Sequence, residues 1–344
     1  MTAPARHGVG GPRRSPVGPR LGFLGTGWIG QHRLRAIAAS GIGTVCAVAD
    51  SSAAAARAAC EGLSPAPRVS SSLPELLDQD LDGIVIATPS ALHAEQSIAA
   101  LEQGLAVFCQ KPLARTTAET RRVVDAACRA DRLLAVDLSY RFTAGMTALR
   151  ELVRQGELGE VFAVEAVFHN AYGPDKEWFR DMTLSGGGCV IDLGSHLVDL
   201  ALWTLDFPVL RSATSRLYSR GQLLRASGRE VEDYATARLD LETGATIQLT
   251  CSWNLPAGCD AVISATFYGS KGGASFHNVG GSFYDFVAER FSGTSRERLV
   301  EPPDEWGGRA AVDWARRLAA GATFDPAAAK LVDVATAIDR IYGR

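Results

Sequence analysis

Lysine is nearly missing from this chain: of its 35 basic residues, only Lys111, Lys176, Lys271 and Lys330 are lysine. Arginine is therefore the default cation, and a lysine at a special place carries information. Also missing is any C-x-x-C spacing among the seven cysteines (Cys46, Cys60, Cys109, Cys128, Cys189, Cys251 and Cys259), an odd number sitting mostly inside apolar runs. That excludes a thiolate metal site or redox motif, and the cysteines read as reduced thiols of a cytoplasmic protein with no metal. Charge of one sign is not in excess, at a net -3 with 21% charged residues, which argues against nucleic acid and anionic membrane surfaces as partners. No apolar run reaches the roughly 18 residues of a transmembrane helix. Residues 1 to 20, rich in Pro, Gly and Arg, lack an apolar core and are expected to be a disordered tail. Arg13-Arg14 raises the question of a twin-arginine export signal, but a glycine-broken strand start stands where its apolar region should follow.

What is present is length for two cores: 344 residues, 47% of them hydrophobic. The first core opens on the apolar run Leu21 to Leu24, followed by Gly25-Thr26-Gly27-Trp28-Ile29-Gly30 and a helical pattern to about Ala39. This is G-x-G-x-x-G between a strand and a helix. The first glycine permits a tight turn, the second lets backbone approach a pyrophosphate, and the third packs helix on strand, with phosphates at the helix N-terminus. A second strand, Val45 to Ala49, ends at Asp50, twenty residues past Gly30, with Ser51 beside it. A carboxylate there takes ribose hydroxyls and repels a 2'-phosphate, which favours NAD over NADP. Helices and strands keep alternating: helix Ala53 to Cys60, a short helix near Pro74 to Leu77, and strand Gly83 to Ala87. The predicted sheet is parallel and doubly wound.

Thr88-Pro89 ends that strand where ligands sit in such sheets, and a helix with His93 in its first turn runs to Gln103. His93 is either a cofactor contact or a helix-start histidine that only packs. Strand Leu105 to Cys109 delivers Gln110-Lys111-Pro112 to the same edge. Lysine here, where arginine is the default, argues for a compact ammonium donating to a single oxygen; the bland alternative is a surface lysine before a helix-starting proline. A cis Lys111-Pro112 bond is possible. Helix Thr117 to Ala130 and strand Leu133 to Leu138 lead to Tyr140-Arg141-Phe142, which places the first domain at 21 to 139.

Residues 140 to 344 are expected to form an α+β domain for substrate binding and oligomerisation. Helix Met146 to Gln155 precedes the long strand Val161 to Asn170, whose terminal His169 and Asn170 are candidates for substrate hydroxyls or plain strand-end polarity. The loop to Ser185 carries Tyr172, Lys176, Trp178, Phe179, Arg180 and Asp181, which suits a carbohydrate face or an interface. Then comes Gly186-Gly187-Gly188 and an apolar helix to Trp203, on which Asp192, His196 and Asp199 fall at i, i+4 and i+7 on one face. Buried acids and imidazoles are costly unless paired or used, so these either satisfy each other or do chemistry. Gly194 costs roughly 1 kcal/mol against Ala in a helix interior, suggesting that a ligand or another backbone comes close. Runs near Leu210 to Tyr218, Tyr234 to Leu241, Ala245 to Trp253 and Val262 to Tyr268 predict an open, mostly antiparallel sheet. One face would pack on the Gly186 helix; the other, with alternate apolar residues, would need a partner, hence a homo-oligomer. Helices Arg309 to Ala320 and Pro326 to Tyr342 finish the chain.

From about Leu21 onward the chain resembles the Gfo/Idh/MocA oxidoreductases, the glucose-fructose oxidoreductase and inositol dehydrogenase family. The carriers are Gly25 to Gly30, the E-K-P element seen as Gln110-Lys111-Pro112, and the G-G-G-x-x-x-D-x-x-x-H element seen as Gly186 to His196. The resemblance implies that Lys111 polarises the reacting oxygen, His196 is the general acid/base, and Asp192 orients substrate and tunes His196. Cofactor contacts are expected from Gly25 to Gly30, Asp50, Ser51, Thr88, Pro89 and His93 at the strand ends, and from Gln110 by the resemblance. Substrate contacts would come from Lys111, Arg141, His169, Asn170, Asp192 and His196. Gln110 departs from the family's usual glutamate, keeping hydrogen bonds while removing a negative charge beside Lys111. The implied reaction is hydride transfer between NAD and a secondary hydroxyl of a cyclitol, sugar or nucleotide sugar. Redox-neutral NAD-dependent glycosidases and non-catalytic NAD-linked sensors share the fold and stand as alternatives.

Overall fold

The computed structural model describes residues 18–224 and 230–344. The expected tail, with Arg13-Arg14, lies outside these except for its last three residues. Those three already belong to the fold: Pro19 O accepts from Thr44 N at 2.9 Å, and Arg20 opens the first strand.

The first half alternates as expected, except that the stretch between the second and third helices, expected to hold no strand, contributes a short edge strand, Arg68–Ser70. In order come β1 (Arg20–Leu24), α1 (Trp28–Ser40), β2 (Thr44–Ala49), α2 (Ala53–Cys60), β3 (Arg68–Ser70), α3 (Leu73–Leu77), β4 (Gly83–Ile86), α4 (Ser90–Glu102), β5 (Ala106–Cys109), α5 (Thr117–Ala130) and β6 (Leu134–Val136). All strand pairs are parallel, in the order β3-β2-β1-β4-β5-β6, the doubly wound order of dinucleotide-binding sheets. The strands β1, β4 and β5 are buried on both faces, as helix-covered parallel strands must be.

The second half contains α6 (Ala144–Arg154), β7 (Val161–Asn170), α7 (Met182–Ser185), a π-turn over Val190–Gly194 and α8 (Ser195–Thr204). There follow β8 (Leu210–Ser219), β9 (Gln222–Leu223), β10 (Tyr234–Leu241), β11 (Thr246–Ser252), β12 (Ala261–Gly269), β13 (Gly273–Asn278), β14 (Phe286–Ser292), β15 (Ser295–Val300), α9 (Arg309–Ala319) and α10 (Lys330–Tyr342). The strands form one sheet, β15-β14-β13-β12-β7-β11-β10-β8-β9, antiparallel except for the β7–β11 pair. Its inner face packs under α8 through a buried row, Phe276, Ala265, Ala166, Leu249 and Ala237.

The opposite face corrects an expectation. The row next to it reads Thr214, Arg238, Gln248, Glu165, Thr266 and Ser275, so its middle is hydroxyl-rich and charged where apolar residues were predicted. The last helices also return to the first half. Trp314 and Ala311 on α9 sit in one core with Leu21, Phe23 and Phe108, and Val332 on α10 joins the core on the other side of the parallel sheet.

Candidate active site

The carboxyl ends of β1, β2, β4, β5 and β6 face the π-turn and α8 across a cavity of about 850 Å³, lined by Gly25, Asp50, Thr88, Lys111, Asp192 and His196 among others. The glycine loop fits a pyrophosphate. A Cβ on Gly27 would meet nothing within 4 Å, whereas one on Gly30 would lie 2.2 Å from Gly25 O, so the second glycine is open to the cavity and the third seals helix against loop. Helix α1 starts at Trp28 with no side-chain cap, which leaves its first N–H groups for an anion. Ile29 and Trp28 line the same mouth.

Asp50 accepts from Thr26 N at 2.6 Å, from Thr26 Oγ1 at 3.0 Å and from Ser52 N at 2.8 Å, with Ser51 Oγ at 3.4 Å. Partial burial pushes this carboxyl up, but the hydrogen bonds from Ser52 and Thr26 outweigh it and hold the pKa below its usual range. Thr26 therefore faces Asp50 and ties the glycine loop to the end of β2. Thr88 Oγ1 donates to Gln96 at 2.5 Å, and Pro89 caps the start of α4. Both ring nitrogens of His93 lie 2.7 Å from carbonyl oxygens, those of Thr88 and Pro112. The ring thus braces the ends of β4 and β5 with its polar atoms committed to backbone. Burial, with Lys111 adding to it, holds its pKa below the ordinary value, which favours a single donated hydrogen bond.

The Lys111-Pro112 bond is cis. From this turn Lys111 Nζ reaches across to the second half, 2.7 Å from both the Asp192 carbonyl and Asp192 Oδ1. The second Asp192 oxygen accepts from Trp253 Nε1 at 3.0 Å. A π-turn re-phases the helix at this point, a device found mostly at functional sites, and here the Asp192 carbonyl meets a side-chain cation.

The predicted stack of Asp192, His196 and Asp199 is accordingly not what forms. Asp199 turns from the cavity to a bidentate ion pair with Arg141, and neither lines the site. The idea that acid and imidazole satisfy each other also fails, because Asp192 is committed to Lys111 and Trp253. His196 faces the cavity, 8% exposed, with the Tyr140 ring edge-on at 4.9 Å. Burial first, then the positive charges of Lys111 and Arg33, hold its pKa well below the usual histidine value. Gly194 also departs from expectation: the nearest atoms to a Cβ there are Cys251 Sγ at 3.3 Å and Val190 Cγ1 at 3.4 Å, neither a ligand nor a foreign backbone.

Two further candidates stay outside the cavity. His169 Nδ1 lies 2.8 Å from Ser252 Oγ and its ring stacks on Tyr234, while Asn170 Oδ1 closes a local turn by accepting from Tyr172 N at 2.8 Å. From the aromatic loop, Trp178, Phe179 and Lys176 do line the cavity. Missed from sequence were Trp253, Tyr140 and Trp306, together with Arg33 and Asp137 on the cavity floor. Each looks ordinary in its local run: Trp253 and Trp306 gain their places only where the two halves meet, and Arg33 and Asp137 only by pairing with each other across 104 residues of the first half.

Family comparisons agree with this geometry. Residues 20–138 match a family model described as an oxidoreductase family with NAD-binding Rossmann fold, and 146–275 match the GFO/IDH/MocA C-terminal domain. Inositol 2-dehydrogenase of Acidiphilium cryptum (strain JF-5) is 30% identical over 259 residues, 74% of this chain and 73% of the relative. D-glucoside 3-dehydrogenase of Escherichia coli (strain K12) is 30% identical over 204 residues, 56% of this chain and only 58% of that relative's length. Among solved structures, GenD2 from gentamicin A biosynthesis, in complex with NAD, superposes with a TM-score of 0.79 at 25% identity, covering 96% of each chain. The doubly wound sheet with its glycine loop lies in the first matched stretch and much of the nine-stranded sheet in the second, and the chain belongs to the GFO/IDH/MocA family of NAD-binding oxidoreductases.

Proposed function

We propose that the chain transfers a hydride between NAD and a secondary carbinol carbon of a polyhydroxylated ring, a cyclitol, sugar or nucleotide sugar. The observation that carries this reading is the Lys111 ammonium fixed 2.7 Å from Asp192 in a cavity where His196 presents a ring free of hydrogen bonds among the described residues. When bound, the nicotinamide supplies the hydride acceptor or donor. Lys111 has three N–H donors, two of them directed at Asp192, and the third is available to a substrate oxygen. His196, its pKa depressed, is neutral near pH 7 and takes the hydroxyl proton in oxidation or returns it in reduction. Asp192 holds the ammonium in place and so positions that oxygen. Asp50, held ionised, would accept from ribose hydroxyls and disfavour a 2'-phosphate, hence NAD before NADP.

The relatives' names support the substrate class: one is an inositol 2-dehydrogenase and one a D-glucoside 3-dehydrogenase. We place the reaction in the cytoplasm, where the seven cysteines, all free, would stay reduced. We also infer a homo-oligomer paired through the uncovered polar face of the nine-stranded sheet. The test of the main reading is a thermal-shift screen of cyclitols, sugars and nucleotide sugars with NAD, followed by turnover of the hits. NADH should accumulate stoichiometrically with oxidised substrate, and Lys111→Ala and His196→Ala should each lower turnover about 100-fold or more while NAD still binds. Product without net NADH would mean a redox-neutral reaction, and wild-type rates in both variants would remove the assignment.

A further inference from the structure

The cavity floor beside Lys111 holds three buried polar side chains to which the reaction above assigns no step. Arg33 on α1, Gln110 at the end of β5 and Asp137 just beyond β6 are 5%, 9% and 1% exposed. Arg33 Nε donates to Asp137 Oδ2 at 2.5 Å, and Gln110 Nε2 donates to the same oxygen. Asp137 Oδ1 has no partner among the described residues, so this carboxylate depends on those two donors. At its other end Gln110 Oε1 accepts from Lys111 N at 3.2 Å, and Arg33 Nη1 lies 2.8 Å from His32 Nδ1. The amide is thereby oriented: its NH2 must face the carboxylate and its oxygen the Lys111 N–H. A carboxylate at position 110 would set two like charges against each other in a buried site, and removing Asp137's charge would strand a buried guanidinium.

We propose that Asp137 is a positioning residue for the reacting end of the cavity: it fixes the Gln110 amide and balances Arg33, so that positions 110 and 137 share one negative charge there. The absence of a carboxylate at 110 is then no loss of charge, because Asp137 supplies it from the neighbouring strand. In the doubly wound order, the pyrophosphate at β1 and the adenosine at β2 leave the ends of β5 and β6 for the nicotinamide. This placement rests on the NAD-binding reading. The charge balance at the floor should therefore discriminate between the cationic ring of NAD and the neutral ring of NADH.

The test needs no substrate, so it stands apart from the choice of cyclitol or sugar. Q110E, D137N and the double variant are compared by melting without cofactor and by fluorescence titration with NAD and with NADH. Q110E should lower the melting temperature of the cofactor-free protein by about 5 °C or more. D137N should leave Arg33 uncompensated and weaken NAD relative to NADH about tenfold. In the double variant the acid and the amide exchange places, so that the side chain at 137 donates to a carboxylate at 110 and accepts from Arg33. The NAD-to-NADH affinity ratio should then return to within about threefold of the parent, and most of the melting temperature should recover. Losses that simply add in the double variant overturn the proposal, as does a D137N ratio equal to the parent's. Should D137N alone not fold, Q110E and the double variant decide, and a double variant no better than Q110E overturns it.

Discussion

His196 is where burial and charge act in one direction. Desolvation, then Lys111 and Arg33, hold its pKa well below the ordinary 6.5, so the ring is neutral, and able to take a proton from substrate, once the pH exceeds that lowered value. For oxidation the neutral base is the active form. The acid limb of kcat/KM should therefore inflect below 6.5 and activity should vanish as the pH falls through it. The linkage to stability has the same sign. The unfolded ring protonates first, so stability present above its unfolded pKa is lost as pH drops toward the folded one. A pH-rate profile checks the first statement, and an inflection at or above 6.5 would contradict it. Lys111, Asp192 and His196 were legible in the sequence because lysine is rare and the glycine-led helix carries polar residues amid apolar ones. Arg33 was not, since arginine is the common cation here, and Asp137 reads locally as a strand-end acid.

The helix that carries Asp192 and His196 is held at its start by Glu232. This buried carboxylate accepts from Gly188 N at 3.0 Å, from Val190 N at 2.9 Å and from the Tyr342 hydroxyl at 2.8 Å. Burial pushes its pKa up, and the three donors offset part of that. A Cβ on Gly188 would stand 1.9 Å from Glu232 O, a backbone atom that cannot step aside. Gly188→Ala should therefore displace the π-turn and lower turnover about 100-fold with NAD affinity unchanged, since small misplacements of reacting groups are costly. Stopped-flow turnover against NAD titration reads this, and a loss under about threefold would show the turn to be tolerant. The parallel sheet was legible apart from β3, because its other strands are short apolar runs punctuated by Gly, Asp and Thr, whereas Arg68-Val69-Ser70 carries a single apolar residue. The π-turn was not, because Val190–Gly194 has the same apolar spacing as an α-helix. Nor were β13 to β15: Ser295–Val300 has no apolar alternation, and its edge is held by charge, with Arg296 on buried Glu289 at 3.0 Å.

At the scale of the molecule, the uncovered sheet face changes the kind of association expected. With Arg238, Gln248, Glu165 and Thr266 in its central row, pairing would rely on hydrogen bonds and ion pairs more than on apolar burial. Light scattering at micromolar concentration should find an oligomer that weakens as salt rises toward about 1 M, where screening acts over about 3 Å. A monomer at low salt would end that reading. Among the described residues no helix is long and apolar enough to cross a membrane.

Helix α9 has a last consequence, for engineering. Trp314 is 1% exposed, its ring 5.7 Å from Phe108 and in reach of Gly83, so one wall of the cofactor sheet's core is built by residues far along the chain. A graft of residues 20–138 onto a foreign substrate half would carry an indole-sized hole under β4 and β5. Chimeras in this architecture have to splice twice, taking α9 along with the parallel sheet whose core it completes.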